Sequence, residues 1–193
     1  MSTDAPTAAR PRLHTVLAVL ARRWPLAVGL LAAAVIVLSG PADRETVGMV
    51  VVIAVSCYVA AAASARPWMA WAWCVPATAL VVGARLLDVS PVLVNGLAAV
   101  ALLVVGVVRS VARPALARQT VGLVVYGALV LVALVIAPAA GLVLAALTLV
   151  GHAAWDLWHL RRHRDQVSPS LAEACVALDV PAGLAVLVLA FVV

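Results

Sequence analysis

Residues 120–160 read TVGLVVYGALVLVALVIAPAAGLVLAALTLVGHAAWDLWHL, 41 positions with a single carboxylate, Asp156, and no Arg or Lys. As one helix the stretch would be about 60 Å long, roughly twice the hydrocarbon thickness of a bilayer. It therefore has to fold back on itself, and Pro138-Ala139-Ala140-Gly141 is the one credible turn. The outcome is a pair of membrane-crossing helices, the first ending near 137 and the second covering about 141–160.

The rest of the chain follows the same logic. Of its 193 residues, 66% are hydrophobic and only 11% charged, and the mean hydropathy is +1.18. Soluble domains are about half apolar and about a quarter charged, and contiguous apolar surface of this extent associates in water. Lipid is the solvent that this composition fits. Apolar runs at 24–38, 46–64, 68–87 and 91–108 precede the central pair, and a last one runs from about 169 to the end. The reading is an all-α, polytopic transmembrane bundle of about seven spans over residues 13–193, preceded by a disordered cytoplasmic tail at 1–12. That tail has no adjacent apolar segment ending in a small-residue cleavage site, so a removable signal peptide is not expected.

All 13 basic residues are Arg, which excludes Lys-based chemistry such as a retinal Schiff base. With this division into spans, Arg10, Arg12, Arg22, Arg23, Arg66, Arg109, Arg113, Arg118, Arg161, Arg162 and Arg164 fall on one side and only Arg44 and Arg85 on the other. Positive charge collects on the cytoplasmic side of membrane proteins, which puts the N-terminus inside and the C-terminus outside, in a bacterial-type inner (plasma) membrane. The arginines sit at the ends of apolar runs and form no continuous basic face. Nucleic acid is thereby excluded as a partner; the lipid bilayer is the partner expected.

No P-loop, Rossmann glycine pattern, GxSxG elbow or HExxH is present, which removes nucleotide-driven transport by this chain alone. Cys57, Cys74 and Cys175 lack CxxC spacing and read as buried, reduced thiols at similar depth. Arg85 and Asp88, three apart, read as a helix-surface ion pair, and Asn95 and Tyr126 as single helix-to-helix hydrogen-bonding groups.

Chemistry concentrates in the last two spans. An ionisable group at mid-membrane costs about 2.5–3.5 kcal/mol on insertion scales, so each one calls for a reason. Span six carries His152, Asp156 and His159, whose offsets of four and seven place them on one helical face. Span seven carries Glu173, Cys175 and Asp179. The hairpin between them turns near Asp165 and Gln166, so residues at equal depth have numbers summing to about 331, which sets His152 opposite Asp179. Imidazole and carboxylate are the usual ligands of zinc and related transition metals, and His152, Asp156 and Asp179 form the easier ligand set. His152 and His159 are about 10 Å apart along the helix, too far to share one ion comfortably. His159 and Glu173, nearer the surface, are the candidate catalytic acid and base.

The run Gly151-His152-Ala153-Ala154-Trp155-Asp156-Leu157-Trp158-His159, followed by Cys175-x3-Asp179, resembles a motif of small bacterial integral membrane proteins of unknown function. These have a His, then Trp-Asp-Leu and a second His, with Cys-x3-Asp on the next helix. The likeness implies that the cluster is a unit and supplies no reaction. A looser similarity is to membrane hydrolases of the alkaline ceramidase and adiponectin-receptor type, seven-span proteins that hold zinc with three His; this chain lacks their His-x3-His pair on the last span. Three function classes follow: a metal-dependent hydrolase with a lipid substrate, a transporter or proton-coupled carrier, and a structural or partner-binding protein in which the cluster pins two helices together.

Overall fold

A computed structural model describes residue 18 and residues 21–39 and 43–192 of the chain. The expected tail at 1–12 lies outside the described residues. Among the described residues seven helices follow one another: α1 (Trp24–Leu38), α2 (Arg44–Ser64), α3 (Met69–Leu86), α4 (Pro91–Val108), α5 (Arg113–Val135), α6 (Pro138–Arg162) and α7 (Pro169–Val192), with no strand. Six of them, α2 to α7, are long and apolar enough to cross a membrane. α1, at 15 residues, extends about 22 Å and is too short by itself to cover about 30 Å of hydrocarbon. The chain is an all-α, polytopic membrane bundle.

The long apolar stretch breaks where its length demanded. α5 stops at Val135 and α6 starts at Pro138, whose fixed φ and missing N–H suit a first helical turn. Pro91, Pro114 and Pro169 likewise stand in the first turns of α4, α5 and α7. Pro67 does not: it sits in a turn ahead of α3, which begins two residues later. Three helices end on a non-glycine residue in the left-handed region, Ala65 (φ 53), Asp88 (φ 55) and Ser110 (φ 53). Each end carries the paired bonds that close a helix at such a cap, for example Arg66 N–H to the Ala61 carbonyl at 3.1 Å and Ala65 N–H to the Ala62 carbonyl at 3.1 Å.

α2 is the central helix, packed against α3, α4, α5 and α6, while α7 lies between α6 and α1. Val47, Val51, Val55 and Val59 of α2, Val130 of α5, Leu149 of α6 and Val186 of α7 form the main apolar core. The links alternate between two ends of the bundle. At one end Ser168 N–H bonds the Pro67 carbonyl (3.3 Å), Trp71 Nε1 donates to Ser170 Oγ (2.9 Å) and Arg118 Nε donates to Gln166 Oε1 (3.2 Å), so the three Arg-bearing links lie together. At the other end Arg44 Nη1 bonds the Ile136 carbonyl, and Ser90 Oγ donates to Glu45 Oε1 at 3.0 Å.

Candidate metal centre

Small residues let α6 and α7 approach closely, as usual where no hydrophobic force separates helix from lipid. A methyl added at Gly183 would stand 2.6 Å from Val150 Cγ2 and 3.0 Å from the Ala146 carbonyl oxygen. One turn before Gly183 lies Asp179, and this approach carries its carboxylate to His152. His152 Nδ1 is 2.9 Å from Asp179 Oδ2 and 3.2 Å from Asp156 Oδ2, the latter one turn along on its own helix. All three residues are buried, at 0%, 0% and 1% exposure for His152, Asp156 and Asp179. One ligand atom from each falls within 4.8 Å of the others.

Two more helices close the site. Tyr58 of α2 donates its phenol to Asp156 Oδ1 and stands edge-on to His152, with ring centroids 5.9 Å apart. Tyr126 of α5 stands edge-on to the other side of His152 at 5.0 Å and donates to the Gly151 carbonyl at 3.1 Å. The chain has two tyrosines, and both wall this imidazole. Toward the Arg-rich end, His159 Nδ1 lies 2.9 Å from the Trp155 carbonyl, so that nitrogen carries the hydrogen and Nε2 accepts from Gln119 Nε2, also at 2.9 Å. His163 and Gln166 follow, with Nδ1 and Nε2 at 3.3 Å.

The electrostatics are lopsided. His152 Nδ1 faces Asp179 Oδ2 at 2.9 Å; Asp156 Oδ2, although 3.2 Å away, has no aligned donor. Asp179 Oδ1, His152 Nε2 and Gln119 Oε1 are also buried without a hydrogen-bond partner. Among the described residues the only ion-pair distances of 4 Å or less are the two made by His152. Two carboxylates therefore share one imidazole at a fully buried position, and the cluster has more acceptor atoms than aligned donors. Buried polar groups are ordinarily hydrogen-bonded, and these atoms are exceptions.

The structure brings His152, Asp156 and Asp179 together and leaves the other candidates apart. His159 is outside the convergent group, bonded to Gln119 and the Trp155 carbonyl and packed edge-on to Tyr58 with ring centroids 5.0 Å apart. Glu173 is half-buried on α7, six residues from Asp179, which is about 9 Å along the axis and about 120° around it. It is not part of the convergent group. Tyr58 and Gln119 are the residues that sequence reasoning passed over. Tyr58 stands seven residues from the Arg-rich end of its span, close to the depth of Asp156, and this was the available signal.

The expected Arg85–Asp88 ion pair does not form, because α3 ends at Leu86 and Asp88 turns away in the left-handed region. Asn95 bonds the Pro91 carbonyl of its own helix at 3.1 Å and not a neighbour. The three cysteines are free and meet in one apolar cluster, with Cys57 Sγ and Cys74 Sγ 3.5 Å apart. No family model, no curated protein and no solved structure matches the chain.

Proposed function

We propose that this protein is a multi-pass protein of a bacterial-type inner membrane whose function centres on one transition-metal cation, zinc in type, held between α6 and α7 by His152, Asp156 and Asp179. The observation that carries this reading is one imidazole nitrogen, His152 Nδ1, facing two carboxylate oxygens at 2.9 and 3.2 Å. A four-coordinate ion with bonds of about 2.0–2.1 Å sets its ligand atoms about 3.3 Å apart, close to the two distances from His152 Nδ1, and the three ligand atoms as a set lie within 4.8 Å of one another. Two carboxylates also supply the charge that a dication neutralises, and the Tyr58 phenol holds Asp156 in place, as outer partners of metal ligands do. The resemblance to the bacterial His, Trp-Asp-Leu, His and Cys-x3-Asp motif agrees with treating these residues as a unit.

Bound there, the ion would leave one position for water, the arrangement of hydrolytic zinc sites, and a lipid is the substrate class that a hydrolase at this depth would take. His159 is the nearest further base. Two grooves, one at each end of the bundle, do not reach His152, which is fully buried. Turnover therefore requires the wall of Tyr58, Tyr126 and Trp155 to open, and the cation site itself is the better supported part of the reading.

A second reading, a proton path, is favoured by one observation. His163, His159, Asp156 and His152 recur every three or four residues along α6 from the Arg-rich end inward. Beyond His152 the stripe ends: Thr148 bonds its own helix at the Leu144 carbonyl, and Leu149 and Ala145 belong to the apolar core. A path open at one end serves a buried site better than a carrier. Elemental analysis of detergent-purified protein decides: about one ion per chain is expected, lost in His152→Ala, and a metal-free wild type that takes up no added zinc would sink the proposal.

A further inference from the structure

At the Arg-rich end, away from the His/Asp cluster, a groove of about 660 Å³ opens between the end of α4 and the first turns of α5. Its volume is that of an ordinary ligand site, for which about 300–1,000 Å³ is typical. α4 ends at Ser110, whose left-handed backbone turns the chain, and α5 leaves at Arg113. Leu116 seals the floor: a methyl on Gly106 would meet its Cδ1 at 2.8 Å and Ala63 Cβ at 3.2 Å. Val107, Val111 and Val121 make the walls, and Arg113 stands at the mouth. Val107 and Val121 are 67% and 56% exposed, so the walls face outward from the bundle.

Charge decides the occupant. Residues 109–120 read RSVARPALARQT, with three Arg and no acid. Arg118 is engaged by the neutral Gln166 amide. Arg109 and Arg113 are exposed, and among the described residues neither makes an ion pair. A soluble anion would leave the apolar walls bare, and a neutral lipid would leave the guanidinium without a counter-charge. An anionic phospholipid answers both, because basic residues beside a membrane surface draw anionic headgroups while the acyl chain covers the walls.

We propose that the α4–α5 groove binds one anionic phospholipid of the Arg-rich leaflet, its acyl chain along Val107, Leu116 and Val121 and its phosphate on Arg113. The site is independent of any cation at His152. The test is native mass spectrometry of the full chain in detergent, titrated with phosphatidylglycerol or with phosphatidylcholine of the same acyl chains. Phosphatidylglycerol should be retained preferentially, and Arg113→Gln should weaken it roughly five-fold while leaving phosphatidylcholine unchanged. Ala117→Trp, at an exposed lining position, should fill the groove and lower retention of both lipids. Equal retention of the two lipids, displacement of phosphatidylglycerol by equimolar glycerol phosphate, or retention untouched by either variant would overturn the assignment.

Discussion

Asp179→Asn separates a cation site from a pairing site because the two predict effects of opposite sign. The Asn carbonyl can still accept from His152 Nδ1 at the 2.9 Å that Asp179 Oδ2 now occupies, so shape and one hydrogen bond survive. Without an ion the change removes one of two carboxylates that share a single imidazole. The metal-free protein should therefore be as stable as wild type or more so. With an ion it removes an anionic ligand; breaking a buried charge pair costs about 3–5 kcal/mol, which weakens binding by roughly two to four orders of magnitude. An ion present at about 100 times its dissociation constant stabilises by about 2.7 kcal/mol, equivalent to roughly 5–10 °C in a chain of this size. The assay is thermal unfolding in detergent with and without chelator, together with metal content. Chelator should lower the melting temperature of wild type by that amount and leave Asp179→Asn unmoved. If chelator moves neither protein, and Asp179→Asn melts below wild type, the cluster is a helix clasp and the cation reasoning fails.

Gly183→Val should cost about 1–3 kcal/mol through overpacking against Val150 and the Ala146 carbonyl and should carry Asp179 away from His152, whereas Gly151→Ala, with open space around it, should be neutral or stabilising; paired thermal melts and metal content check this. Ala65→Gly relieves an alanine held at φ 53 and should stabilise the fold by about 1 kcal/mol, read by the same melts; a loss would mean that the cap is not left-handed in the membrane. Reporter fusions after Pro41, Ser90 and Val193 should all report the outside. A fusion ahead of Arg22 should report the inside; an outside signal there, with the other three also outside, would mean that α1, with its 15 residues, fails to cross and that the bundle has six spans.

What the sequence made legible was whatever depends on length and depth. A 41-residue apolar run cannot stay straight in a bilayer, so its break at Pro138 followed from arithmetic. The same depth argument set His152 opposite Asp179, because consecutive antiparallel helices share one ruler. Adjacency between helices distant in the chain has no such ruler. Nothing in the pattern says that α2 rather than α4 packs on α6, so the Tyr58 phenol on Asp156 had to be seen. Glu173 is matched by depth to His159, and depth says nothing of rotation, which sets it about 120° around α7 from Asp179. Arg85 and Asp88 failed for a related reason, since three-residue spacing joins side chains only while the helix continues, and α3 ends between them.

The placement of the cluster bears on why it exists. α6 and α7 meet closely where Gly183 packs on Ala146 and Val150, and close approach of small residues of this kind is what holds helices together in lipid. Hydrogen bonds between membrane helices add only about 0.6 kcal/mol on average, less than the insertion cost of one mid-membrane carboxylate. As a clasp, a pair of aspartates around one histidine is therefore a poor bargain, and a Thr or Asn pair would bond as well without buried charge. What the carboxylates offer that neutral groups do not is negative charge at a fixed, buried position, framed by both tyrosines of the chain and approached by a polar stripe from the Arg-rich end. Under the proposed reading that charge holds a cation, and it is the property that each variant of His152 and Asp179 examines.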